Sequence, residues 1–238
     1  MELLRKKELA IWLSAVLLAA FALEAAEIPA EHEHWLKGCP GVVQIDDRGI
    51  RFLPQVSAPK AHQQSWAWQD VQRLELSADR IVVVTYEDVR WRLGADRAVR
   101  FRAATGHNFL GAYQLLRDRG DVRLVAKIAD GWEPALWEIP VKRMGRIRGA
   151  HGRLRAGEKR LIYESLSDNK SMTWRYTQIH NLSSLGADRL VLTTCVGQSV
   201  FQLKAPLDET QYNFLWRKVQ EAQGLRAVTS VPRLEADR

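Results

Sequence analysis

The densest chemistry-bearing stretch of the chain is Lys142-Arg143-Met-Gly-Arg146-Ile-Arg148-Gly-Ala-His-Gly-Arg153-Leu-Arg155-Ala-Gly-Glu158-Lys159-Arg160, in which eight basic side chains face one carboxylate. Planar guanidiniums at alternate positions of a strand present forks of N–H donors that suit phosphate or carboxylate. Glycines at 145, 149, 152 and 157 would let backbone N–H groups approach the same anion. Read as a hairpin, the run places Arg146 and Arg148 on one face with Ile147 opposite. A bulge near residues 149–152 then returns both Ile147 and Leu154 to the core and lets Arg146, Arg148, Arg153 and Arg155 project together. Lys159 and Arg160 complete this candidate anion-binding set. The competing reading is a solvated face whose arginines pair with carboxylates of the same domain.

Other candidates are weaker. His32 and His34 would lie on one side of a strand, but two imidazoles need a third ligand, His62 or His107, before they hold a metal. No metal and no cofactor are therefore expected. The acidic pairs Asp46-Asp47 and Glu87-Asp88 fall at turns, where carboxylates are usually just solvated. No Gly-x-Ser-x-Gly elbow, Ser-x-x-Lys, His-Glu-x-x-His or phosphate-cradling glycine loop occurs. The chain is read as a non-enzyme. The tryptophans read as core, with Trp66 and Trp174 coinciding between the copies, and sugar stacking by Trp35 or Trp91 is the alternative.

The chain has 238 residues, 46% hydrophobic and 26% charged, with a net charge of +7. Those proportions exclude a disordered, collagen-like or multi-span membrane chain. Residues 11–23 form an apolar run behind Arg5, Lys6 and Lys7, and Glu24 ends it. Its 13 residues reach roughly 20 Å at ~1.5 Å each, short of the ~30 Å hydrocarbon core of a bilayer. The reading is a signal peptide over 1–22, cleaved after Ala22. Cleavage after Ala25 or Ala26, an uncleaved N-terminal anchor, and a buried helix are the alternatives. Removing 1–22 leaves a net charge of +6, while residues 142–160 alone carry +7. Any electrostatic attraction of the mature chain therefore has its source there. Cys39 and Cys195 are expected to be buried free thiols, with a bridge between them as the alternative.

The elements that must position these residues occur twice. Ser65-Trp66-Ala67-Trp68, Val71, Leu74 and Ala78-Asp79-Arg80 coincide with Thr173-Trp174-Arg175-Tyr176, Ile179, Leu182 and Ala187-Asp188-Arg189, at an offset of 108 that becomes 109. Upstream, Gly41 through Phe52 corresponds to Gly152 through Tyr163. Each copy consists of short alternating segments and ends in an amphipathic helical stretch. Asn108 caps the first helix, and Asp208 or Thr210 caps the second over 210–222, with Gly224 as its stop.

About seven strands followed by one helix resembles the pleckstrin-homology-like (PH-like) barrel, and the pair looks like tandem PH-like domains of exported bacterial proteins. The resemblance implies a mainly β fold of two barrels, at 32–118 and 141–224, with a packed connection over 119–140 and a flexible tail over 225–238. It also implies a binding or scaffold module without catalytic residues. Family lipid binding uses a basic cluster in the first hairpin. The first copy has Asp46-Asp47-Arg48 there instead. The expectation is a non-catalytic protein of the cell envelope, periplasmic or extracellular, that recognises a protein or anionic ligand. A peripheral anionic-lipid module and an envelope enzyme without a recognisable motif are the alternatives. Nucleic acid is disfavoured because export removes it and no recognition motif appears.

Overall fold

The computed structural model describes residues 25–34, 38–55, 63–89, 94–145 and 147–224. The expected leader at 1–22, the tail at 225–238, and Arg146, His62, Trp35 and Trp91 lie outside them. Among the described residues the fold is mainly β, with fifteen strands and two α-helices. The chain divides into two compact units, one up to Leu124 and one from Val125 onward. Among the described residues no helix is long and apolar enough to cross a membrane.

Unit 1 holds β1 (Ala26–His32), β2 (Cys39–Ile45), β3 (Gly49–Pro54), β4 (Gln64–Ala67), β5 (Val71–Leu76), β6 (Arg80–Asp88), β7 (Asp96–Ala103) and α1 (Leu110–Leu116). β8 (Leu124–Ala126) stands at the boundary, its Ala126 paired with Thr173. Unit 2 continues with β9 (Trp137–Arg143), β10 (Ala150–Ala156), β11 (Arg160–Ser165), β12 (Met172–Arg175), β13 (Ile179–Ser184), β14 (Arg189–Thr194), β15 (Gly197–Leu203) and α2 (Glu209–Ala222). The strand order is β5-β6-β7-β1-β2-β3-β4 in unit 1 and β13-β14-β15-β9-β10-β11-β12 in unit 2. Position for position, it is the same order.

The agreement extends to irregularities. A 3₁₀ turn follows β4 at Trp68–Asp70, and another follows β12 at Tyr176–Gln178. Each next strand is bulged at its start, between Val71 and Arg73 in one unit and between Ile179 and Asn181 in the other. Strand residues alternate between core and surface, as half-buried antiparallel sheets require. β10 shows this with Gly152, Leu154 and Ala156 buried and Arg153 and Arg155 facing outward.

Each core is built around three aromatic rings. Phe52 packs on Phe101 at 5.0 Å and Trp66 meets Phe101 edge-on at 6.2 Å. In unit 2 Tyr163 packs on Phe201 at 5.3 Å and Trp174 meets Phe201 at 6.2 Å. Gly41 and Gly152 give the rings room. A Cβ on Gly41 would sit 2.7 Å from the Phe52 ring and 2.4 Å from the Leu53 carbonyl oxygen. A Cβ on Gly152 would sit 2.6 Å from the Tyr163 ring and 2.3 Å from the Glu164 oxygen. At α1 the cap position is Phe109 and not the expected Asn108, which lies one residue earlier and whose Oδ1 accepts from Leu110 N–H, while Asp208 with Gln211 forms the expected reciprocal capping box at α2. Gly224, at φ +74°, ends α2.

Three further expectations are corrected. Unit 1 begins before residue 32, because β1 pairs with both β2 and β7. The first strand of the second hairpin is Trp137–Arg143, so the described residues 144, 145 and 147–149 lie in its loop and not on a strand. Cys39 is buried as expected, but Cys195 is exposed in the β14–β15 turn, and both thiols are free.

Candidate functional site

The basic run is divided by the fold into three environments. Arg160 lies in the core of unit 2 with its side chain 2% exposed. Its Nη1 donates to Glu133 Oε2 at 2.7 Å, and its Nε lies 3.6 Å from Asp130 Oδ2. An unpaired guanidinium could not be buried so deeply, because desolvation of the charge must be offset by partners. Arg160 therefore does not belong to a surface set. Glu133 Oε1 also accepts from Lys159 N–H at 2.8 Å, which fixes the β10–β11 turn while the Lys159 side chain is exposed. Tyr176 donates to the Gly157 carbonyl at 2.9 Å, and burial pushes its phenol well above the ordinary value, with the Glu133 and Glu158 charges adding to the effect.

Arg153 and Arg155 share the outer face of β10. Arg153 lies 3.5 Å from Glu138 and 3.6 Å from Glu164, and Arg155 lies 3.8 Å from Glu164. These are loose, partly exposed pairs that contribute little to stability.

The third environment is the end of unit 2 away from α2. Tyr176 and Lys218 hold the 157–159 turn at the opposite end of β10, Lys218 by pairing with Glu158. The residues that flank the β9–β10 connection, Arg143 and His151, meet the 166–171 loop. Leu166 N–H donates to His151 O at 2.9 Å, and Arg143 reaches across to Lys170 O at 3.2 Å and Asp168 Oδ2 at 3.3 Å. Arg143 also stacks 5.1 Å from the centre of the Tyr163 ring. Burial alone would raise the Asp168 carboxyl. Donors from Ser165 and Lys170 and the Arg143 charge outweigh it and hold the group below its ordinary value.

On this frame stand Ile147, 93% exposed, Leu166, 63% exposed, and Met144, 43% exposed. Arg148, His151 and Lys170 are exposed beside them. Gly145 permits the tight loop, since a Cβ there would lie 2.1 Å from Arg148 O. Ile147 is the residue that sequence reasoning misplaced. Strand parity assigned it to the core, but inside a loop parity has no meaning. The available signal was an apolar residue flanked by Arg146 and Arg148 with glycines on both sides.

Elsewhere the candidates serve the fold. His32 is buried at the end of β1, its ring 5.2 Å from Phe101 and 5.7 Å from Phe52, while His34 is exposed. Among the described residues no group of three or more His, Cys, Asp or Glu could hold a metal ion. Asp46 is buried, not a solvated turn residue. Its Oδ1 accepts from Arg48 N–H at 2.8 Å and Gly49 N–H at 3.0 Å, and its Oδ2 from Arg51 at 2.7 Å. Burial pushes its carboxyl upward, and these donors together hold it below the ordinary value. Glu87 pairs with Arg97 in the open.

No family model and no curated protein matches the chain. Among solved structures, it is similar to the C-terminal domain of an unknown protein from Leishmania infantum, at 15% identity and a TM-score of 0.29 over 38% of this chain and 84% of that one. It is also similar to the Spt16D Pob3N heterodimer, at 11% identity and a TM-score of 0.32 over 73% of this chain and 83% of that one. Both likenesses are distant.

Proposed function

We propose that the two units are PH-like domains and that the protein is a non-catalytic binding module of the cell envelope. In this reading unit 2 docks on an anionic membrane surface through the 144–149 and 166–171 loops. The observation that carries the proposal is the exposure of Ile147, Leu166 and Met144, and of Arg148 and Lys170, in the two connections β9–β10 and β11–β12 of unit 2. A soluble surface gains nothing by displaying Ile147 at the tip of a loop. At a bilayer, immersing such a side chain contributes about 1.5–3 kcal/mol, and each basic side chain near an anionic leaflet about 1 kcal/mol. The sum is enough for reversible attachment, and the loop frame is already built by Arg143, Asp168 and Tyr163.

The test is sedimentation of the mature protein with phosphatidylglycerol-containing vesicles and with phosphatidylcholine vesicles, at low and high salt. Binding to the anionic vesicles that weakens as salt rises supports the reading, because exposed charges are screened. Equal binding to both vesicles, or none, rejects it. A protein partner would appear instead as a stable species pulled down from envelope extracts. Export itself is tested by N-terminal sequencing from the native host, where a new terminus at Leu23 is expected.

A further inference from the structure

The repeat exposes an asymmetry at the outer edge of the bulged strand. In unit 1 that edge is covered by the chain itself. Leu74 of β5 donates its N–H outward to the Arg123 carbonyl at 3.0 Å, and Val122 and Leu124 on either side of Arg123 are buried. Unit 2 has the same strand, the same bulge and the same register, so Leu182 of β13 turns its N–H outward as Leu74 does. Among the described residues no backbone carbonyl accepts from it. α2 covers only the beginning of the strand, where Gln223 Nε2 donates to Ile179 O at 2.8 Å and His180 O at 2.9 Å. Beyond that point no described strand pairs with the edge. Trp216, about half exposed, lies on the helix face that carries Gln223, at i and i+7.

We propose that the outer edge of β13 at Leu182–Ser184 is a strand-accepting site for an extended peptide of a partner protein, one with an apolar–x–apolar triplet. Open edges pair readily with extended chains, and backbone hydrogen bonds supply the affinity while alternate side chains supply the selectivity. The triplet chemistry follows from unit 1, where Val122-Arg123-Leu124 performs this pairing on the equivalent edge. This site is separate from the loop end of unit 2 and does not depend on membrane docking.

The probe is a synthetic peptide of residues 120–126, Gly-Asp-Val-Arg-Leu-Val-Ala, added to the ¹⁵N-labelled mature chain. Saturable shifts of the Leu182 and Ser184 amides are expected. Ser184→Pro removes one outward N–H while leaving the ladder to β14 intact, and it should weaken binding roughly tenfold or more without changing Tm. No amide shift at β13, or unchanged affinity in S184P, overturns the proposal. If S184P unfolds, Trp216→Ala replaces it, with the same expected direction and the same overturning result. A chain ending at residue 224 that binds the peptide when the longer chain does not overturns it as well, since the edge would then belong to the chain's own end.

Discussion

The two units solve one structural problem in different ways. In each, the turn after the second strand must be tied to the 3₁₀ turn that precedes the bulged strand. Trp68 Nε1 donates to Asp46 O at 3.1 Å in unit 1, and Tyr176 donates to Gly157 O at 2.9 Å at the matching place in unit 2. The turn amides differ. In unit 1 Asp46 accepts them from within the turn, and Arg119 closes over it, 5.0 Å from the Trp68 ring and bonded to the carbonyls of Asp46 and Asp47. In unit 2 glycine stands at the position of Asp46, and the carboxylate arrives from Glu133, 26 residues away. Unit 1 is self-contained at this turn. Unit 2 uses the segment that enters it as part of its own core, and the cost is a buried charge cluster of Arg160, Asp130 and Glu133.

The difference predicts unequal sensitivity. Glu133→Ala removes the 2.7 Å carboxylate partner of the buried Arg160 and orphans Lys159 N–H, so it should destabilise unit 2 by about 3–5 kcal/mol. Hydrogen exchange followed separately over the two units should show faster exchange in unit 2, with unit 1 unchanged. Equal loosening of both would dissolve the contrast.

Gly41→Ala and Gly152→Ala should instead behave alike. Each adds a Cβ against a ring and a carbonyl, at a cost of about 1–3 kcal/mol to its own unit. A silent substitution at either position would mean that the rings do not pack equivalently.

Asp46→Ala should cost about 1–2 kcal/mol in unit 1, because two turn amides lose their acceptor. The pH dependence has a definite sign. A carboxyl held below its unfolded value stabilises the fold above that value, 3.8 for aspartate, and loses the contribution as pH falls through the lower folded value. Acid unfolding of unit 1 should therefore be shallower in the variant than in the parent. An unchanged acid limb would show that Asp46 is not linked to stability.

Much of the repeat was legible because it is written in residues with fixed geometry. Trp66 with Trp174, Trp68 with Tyr176 and Val71 with Ile179 flank a 3₁₀ turn and a bulge that tolerate no change in spacing. Gly41 and Gly152 were aligned by pattern, and the structure supplies the reason in the ring each accommodates. β1 was not legible, since Pro29 and the acidic residues on its outer face disguise a seven-residue strand. Nor was the fate of the arginines. Composition shows that residues 142–160 are basic, but Glu133, Glu138, Glu164 and Asp168 come from other elements, and pairing across a sheet leaves no mark in a local window. The loop end of unit 2 was half legible. Its charge could be read, while its exposed apolar tip was assigned to the core.

Unit 2 displays Ile147, and the central claim is that this display serves attachment to an anionic surface. The most direct measurement is vesicle affinity of the chain from residue 23 onward against its Ile147→Asp variant, alongside Tm of both. A residue 93% exposed contributes little to folding, so Tm should stay within about the equivalent of 0.5 kcal/mol. Affinity for phosphatidylglycerol-containing vesicles should fall roughly tenfold or more, as an apolar side chain that enters the interface is replaced by a charge of the wrong sign. Affinity unchanged in the Asp variant, with the parent binding, would contradict the account and place the attachment elsewhere on the chain.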